Sequence, residues 1–193
     1  KYPNLQYHFL PLAINYDGSS PHRGDGFQFH VGTMRSKSRG FVAIKNADPQ
    51  NSPTIKFNYL SHSDDLKDFR NAIRITRNIL DQPAFKDFAG QEIQPKPTVK
   101  SNRELDEFIK SSVESAFHPC GTCKMGDPAD KETVVTPECK VNGVENLFCA
   151  DASIFPSITN GNLNAPSIMV GEKAVDHILN KPLLPKENLV PYN

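Results

Sequence analysis

Residues 145–179, ENLFCADASIFPSITNGNLNAPSIMVGEKAVDHIL, constrain this chain more than any other stretch. They read as strand, loop and helix. Leu147, Phe148 and Cys149 form a short apolar run that stops at Asp151, the pattern of a buried strand. Ser157, Thr159, Asn160, Gly161 and Asn162 make a polar, glycine-containing loop. A helix is expected next, with Asn164 as its N-cap and Pro166 in the first turn, where a missing N–H leaves no bond unmade. Ile168, Gly171, Val175 and Ile178 recur at helical spacing, and Gly171 and Ala174 leave that face thin enough for close packing. Such a helix buries one side and turns its N-terminus towards whatever the loop holds. Free N–H groups and about half a positive charge favour an anion there. Spacing alone fits an ordinary buried strand–helix corner as well.

The rest of the chain reads as strands first and helices later. Residues 5–16 are extended, and residues 17–25 form a Gly/Ser/Pro-rich loop that holds His22. In residues 26–34, Phe27, Phe29 and Val31 share one face and Gln28 and His30 the other. Residues 40–45 and 54–57 are two more short strands. Strands this closely spaced suggest an antiparallel sheet. Ser63 opens a helix with Asp64 and Asp65 in its first turn, a helix-start pair and not an acid/base couple. Leu66, Phe69, Ile73 and Leu80 form its apolar stripe. Ser101 and Glu104 make a capping box before a helix that buries Leu105, Phe108 and Ile109. Residues 124–136 read as loop, residues 141–150 as a strand, and residues 181–193 as a surface tail. His22 and His62 are expected in solvated loops and His177 on the surface of the last helix.

Composition removes several function classes. Lys plus Arg equals Asp plus Glu at 22 each, so there is no electrostatic reason to bind nucleic acid or an anionic membrane. No apolar run is long enough to span a bilayer, and there is no signal-peptide pattern. The chain opens on Lys1 in a strand-like run, as a fragment or a processed form would. Four cysteines are too sparse for a disulfide-stapled secreted domain. A reducing, cytoplasmic setting is expected, with membrane association left open for a full-length enzyme.

The segment FHPCGTCKMG, residues 117–126, carries a His-x-Cys-x-x-Cys spacing at His118, Cys120 and Cys123. One reading is zinc held by a histidine and two thiolates. The Pro-Cys-x-x-Cys of zinc deaminases fits residues 119–123, but their upstream His-x-Glu does not occur. A thioredoxin-like thiol pair lacks a leading strand, and a c-type haem site fails because Lys124 stands where a histidine is needed. In a third reading His118 acts as a base and the cysteines merely pack, as free cysteines often do.

The run DASIFPSITNGNLNAPSIMVGEKA resembles the C-terminal signature of the glucose-methanol-choline oxidoreductases, flavin enzymes that oxidise alcohols, and HPCGTCKMG resembles their catalytic-histidine segment. The likeness is closest to the members that act on choline. It implies His118 as the base that takes the alcohol proton and Asn162 as the second polar group on the flavin face. It also implies flavin contacts at Asp151 and Ala152, and at Asn164, Ala165 and Pro166. His8, in HFLP, matches a histidine of the substrate cavity. Phe117 stands where relatives often have Tyr. No metal site is implied.

The implied activity is FAD-dependent oxidation of choline, or a similar small alcohol, to betaine aldehyde. A respiratory electron acceptor is a further implied partner. The G-x-G-x-x-G turn that holds the dinucleotide does not occur in this sequence. The resemblance therefore covers the C-terminal part of the family's chain, and the N-terminal FAD-binding part is a missing partner. The expected fold is α+β, an antiparallel sheet with helices packed on one face. Residues 1–145 would be the substrate-binding domain and residues 146–180 a strand–loop–helix returning to the flavin domain. Two other readings stand beside it. One is a small zinc- or thiol-dependent protein built on His118, Cys120 and Cys123. The other is a folded fragment without activity of its own.

Overall fold

The computed structural model describes residues 2–15, 18–19, 24–182, 184–185 and 187–188; His22 and residues 183, 186 and 189–193 of the expected tail lie outside them. The chain forms two compact units, Lys1–Phe117 and His118–Asn193, so residues 118–145 share a unit with residues 146–180. No helix among the described residues is long and apolar enough to cross a membrane.

In the first unit, strand β1 (Leu5–Leu10) pairs antiparallel with β2 (Gln28–Thr33), in a register that sets Tyr7 opposite Val31, His8 opposite His30 and Phe9 opposite Phe29. Period-2 alternation gives this ladder one aromatic face. The Phe29 ring lies 5.3 Å from Phe9 and 6.2 Å from Phe85, centroid to centroid. That face meets helix α1 (Ser63–Leu80), where the Tyr7 hydroxyl donates to the Ala72 carbonyl at 3.3 Å. Strands β3 (Phe41–Ala43) and β4 (Thr54–Lys56) form a second antiparallel ladder. The expected antiparallel sheet is thus two separate two-stranded ladders. The cause lies between β2 and β3, where Ser36, Lys37 and Ser38 leave the strand to wrap a carboxylate of α1. At Gly40 a Cβ would sit 1.9 Å from the Lys56 carbonyl oxygen, so β3 can meet β4 only through a glycine.

That carboxylate is Asp65, which is 2% exposed. It accepts from the Ser36 hydroxyl at 2.6 Å, the Lys37 N–H at 2.9 Å and the Ser38 N–H at 3.1 Å, and also from the Ser38 hydroxyl. Burial disfavours the charged form of Asp65. The hydrogen bonds outweigh it and hold the carboxyl below its ordinary range. His62 is exposed, as expected, and also serves as the N-cap of α1, with its Nδ1 accepting from the Asp64 N–H at 3.2 Å. Helix α2 (Asn102–Ser112) starts on the expected capping box of Ser101 and Glu104. It buries Leu105 and Ile109. Arg70 of α1 ties to Asp106 of α2 at 2.6 Å.

The second unit has no regular sheet among its described residues. Isolated bridges join Met125 to Val135, Val135 to Val141, and Lys140 to Phe148. The strand expected over residues 141–150 is absent because the chain doubles back. Gly143 and Asn146 take positive φ values of 74° and 55°, and the Val141 N–H bonds to the Leu147 carbonyl at 2.9 Å. Val141 and Leu147 face each other across a tight turn. The Asn142-Gly143 pair is the turn signal that the strand reading overrode. Beneath lies a core of Val135, Cys139, Ile154, Phe155, Leu163, Val170 and Ala174.

Helix α3 (Asn164–Ile178) closes the unit. Its N-cap is Leu163, one residue before the expected Asn164. The buried Leu163 carbonyl already accepts the first helical bond, from the Ser167 N–H at 2.9 Å, together with the Ser167 hydroxyl at 2.7 Å. The expected stripe is on the wrong side. Val170 and Ala174 are the buried residues of the helix, while Ile168, Val175 and Ile178 are exposed. A Cβ on Gly171 would meet nothing within 4 Å. Away from the polar side of Glu172, Lys173, Asp176 and His177 the apolar arc is wider than this core covers, so period alone could not choose the part of it that is buried.

Candidate active site

In the second unit two segments that carry expected site residues run side by side. Gly121, Cys123 and Met125 donate their N–H groups to the carbonyls of Ala152, Ser153 and Ile154, at 3.3, 2.8 and 2.8 Å. The histidine segment is thereby sewn to the short 3-10 turn Ala152–Ile154. Gly121 has φ 86°, and a Cβ there would press on the Phe155 carbonyl oxygen at 3.2 Å, so this approach depends on glycine. His118 enters the pairing half-buried, between the exposed Pro119 and Phe117. Phe117 is 74% exposed and holds a positive φ of 58°. A bulky residue in the left-handed region is strained, and such strain clusters at functional sites.

Asp151 caps the 3-10 turn by accepting from the Ser153 N–H at 2.8 Å. Bonds from the Ser153 side chain and backbone hold its carboxyl below the ordinary range. Its carboxylate is therefore occupied within the turn, and Ala152 packs on the core below. Leu163 anchors the polar loop to the same core. This leaves Asn162 exposed on one side of Leu163 and Asn164 and Ala165 exposed on the other. Pro166 is half-buried in the first turn. No side chain caps α3, and the N–H groups of Asn164 and Ala165 have no acceptor within the helix. The Thr159 hydroxyl, in the same loop, is buried without a hydrogen-bond partner. An uncapped helix start, an orphaned hydroxyl and an exposed amide fit a polar, electron-rich planar group such as a flavin ring. His8 belongs to the first unit, exposed on β1 opposite His30.

Three of the four cysteines pack on the core. Cys139 is buried, Cys120 and Cys149 lie against the core, and the Cys149 Sγ shares a hydrogen bond with the Ser153 hydroxyl at 3.2 Å. Burial pushes the thiols of Cys139 and Cys149 up. Among the described residues no group of three or more His, Cys, Asp or Glu side chains could hold a metal ion. Sequence reasoning missed Thr159 and the helix-capping role of His62; neither has a spacing that marks it.

The chain belongs to the GMC oxidoreductase family, whose C-terminal model matches residues 36–171. It is 59% identical over 192 residues to the oxygen-dependent choline dehydrogenase of Brucella ovis, a match that spans 100% of this chain and 35% of that protein. The protein of the same name from Rhizobium rhizogenes is 54% identical over the same extent. The chain thus spans about a third of the length of the curated relatives it matches. Among solved structures, pyridoxine 4-oxidase from Mesorbium loti superposes with a TM-score of 0.84 at 28% identity, over 93% of this chain and 35% of that one. A formate oxidase variant from Aspergillus oryzae gives 0.83 at 27% identity, over 93% and 32%.

Proposed function

We propose that this chain is the C-terminal part of an FAD-dependent oxidoreductase that oxidises choline to betaine aldehyde. The observation that carries the reading is the 59% identity, along the whole chain, with proteins named for choline oxidation. Structural likeness to an FAD-dependent oxidoreductase from Chaetomium thermophilum supports the cofactor. Residues 1–145 would be the substrate-binding part and residues 146–180 the return to the flavin-binding part. The exposed Ile168, Met169, Val175 and Ile178 of α3 are the face on which that part would sit.

FAD, when bound, supplies the hydride acceptor. His118 takes the hydroxyl proton on a ring nitrogen as the alcohol is oxidised, the general-base role for which imidazole is used most often. Asn162 donates its amide N–H to the alcohol oxygen. The N–H groups of Asn164 and Ala165, with Asp151, Ala152 and Pro166 beside them, hold the cofactor ring and stabilise negative charge on it. His8 contacts the substrate. Aromatic side chains suit its cationic head. Because the relatives are oxygen-dependent choline dehydrogenases, molecular oxygen is the electron acceptor to test first, ahead of a respiratory carrier.

The test is anaerobic mixing of the flavin-loaded, full-length enzyme with choline. Bleaching of the oxidised flavin with stoichiometric betaine aldehyde is expected. Bleaching by other alcohols but not by choline would overturn the substrate, and about one tightly bound zinc per chain would revive the metal reading.

A further inference from the structure

Of the four cysteines, Cys123 is the one that does not pack on the core of the second unit. The fold sets it beside Ser153. Its N–H donates to the Ser153 carbonyl at 2.8 Å. The Ser153 hydroxyl shares a hydrogen bond with the Cys149 Sγ at 3.2 Å. Ser153 thus holds one cysteine through its backbone and the other through its side chain. The two thiols also interact with each other. Burial first, then the Asp151 carboxylate and the Cys123 thiol, push the Cys149 thiol up. Both cysteines are half-buried and keep some surface open to solvent. Sequence spacing points to a different pair, Cys120 with Cys123, but Cys120 lies against the core. The bonds from Gly121, Cys123 and Met125 to Ala152, Ser153 and Ile154 bring Cys123 to Cys149 instead.

We propose that Cys123 and Cys149 are a dithiol that a hydroperoxide converts to an intrachain disulfide, a reversible modification that ties the segment after His118 to the run before Asp151. Cys123 Sγ, as the thiolate, attacks one peroxide oxygen. The O–O bond breaks, Cys123 becomes a sulfenic acid, and the departing hydroxide takes the thiol proton and becomes water. Cys149 Sγ then attacks the Cys123 sulfur. The S–S bond forms, the S–O bond breaks, and the hydroxyl leaves with the Cys149 proton as a second water. The two thiols lose two electrons and two protons, and the peroxide is reduced to two waters. The raised Cys149 thiol is the poorer first nucleophile, which leaves that step to Cys123. Nothing in this step depends on the choline reading. Two-electron reduction of oxygen yields hydrogen peroxide, so an enzyme that passes its electrons to oxygen supplies its own oxidant.

The test treats the flavin-loaded, full-length enzyme with hydrogen peroxide, blocks the remaining thiols with iodoacetamide, and maps the non-reduced peptides by fragmentation in a mass spectrometer. The dominant linkage should join Cys123 to Cys149. The linked pair should be lighter by two hydrogen atoms than the separate peptides, and dithiothreitol should split it. Cys149→Val should abolish the linkage and leave Cys123 as a sulfenic acid that dimedone traps. Cys120→Ser should leave the linkage intact. A dominant bond between Cys120 and Cys123, or between Cys139 and Cys149, would overturn the proposal. So would recovery of Cys123 and Cys149 as alkylated thiols, or as unlinked sulfinic and sulfonic acids. If Cys149→Val does not load flavin, the linkage map of the unmutated enzyme decides the matter by the same criteria. Failure of choline to reduce the enzyme would leave this result untouched, because the peroxide is added.

Discussion

Helices α2 and α3 both place apolar residues at helical spacing, yet they use them in opposite ways. Helix α2 has a complete capping box, one narrow apolar stripe and a polar back, and it buries that stripe as Leu105 and Ile109. Helix α3 has no side-chain cap. It buries Val170 and Ala174 while leaving Ile168 and Met169 each 59% exposed. Its ionisable residues, Glu172, Lys173, Asp176 and His177, are confined to one side, so its apolar surface is wider than the face its own core covers. The difference teaches that α2 is written for local stability, whereas α3 has apolar surface beyond what its own core covers, the surface on which the proposed function would seat a second layer. Its N-terminus carries no side-chain cap, as the proposed flavin contact there would require.

The comparison can be broken at its energetic end. Leu105→Ala should cost about 2–5 kcal/mol, because a fully buried leucine leaves a cavity. Ile168→Ala, on the open face of α3, should change stability by less than about 0.5 kcal/mol in this chain. Denaturant unfolding of the two variants measures both, and equal losses would refute the assignment of faces.

A second test sharpens the stability of the first unit. Asp65→Ala removes the acceptor of four hydrogen bonds and should cost about 1.5–3 kcal/mol. The sign with pH follows from its lowered carboxyl. The ionised group stabilises the fold fully above the unfolded carboxyl value of about 3.9, and the contribution fades as pH falls through that value towards the lower folded one. Melting temperatures of wild type and variant should therefore converge on acidification and stay apart from pH 5 upwards. The smallest effect is at the cap. Ser101→Ala should cost about 1 kcal/mol, seen as a modest shift of the unfolding midpoint.

Where local rules and tertiary demands agree, the fold was legible. The Ser101–Glu104 capping box, the acidic start of α1 and the alternation of Phe27 and Phe29 each appear where their chemistry places them. Failures came where two signals competed. The apolar run around Leu147 outweighed the Asn142-Gly143 turn, and the apolar arc of α3, wider than the face its core covers, gave its stripe no unique phase. The site was legible as residues but not as geometry. Nothing in the spacing shows that Gly121–Met125 would bond to the turn after Asp151, because that pairing depends on φ at Gly121 and not on a pattern. Thr159 carries no sequence mark, since an orphaned hydroxyl is defined by what surrounds it.

The most direct test of the account is the proton-transfer role of His118. Anaerobic stopped-flow reduction by choline would compare His118→Ala with wild type in the full-length enzyme, at equal flavin content. Loss of a general base typically slows a reaction by about 10²–10⁴-fold, and flavin reduction should fall by that factor while the oxidised flavin spectrum is retained. Reduction at a near-wild-type rate would contradict the account and remove His118 from the chemistry.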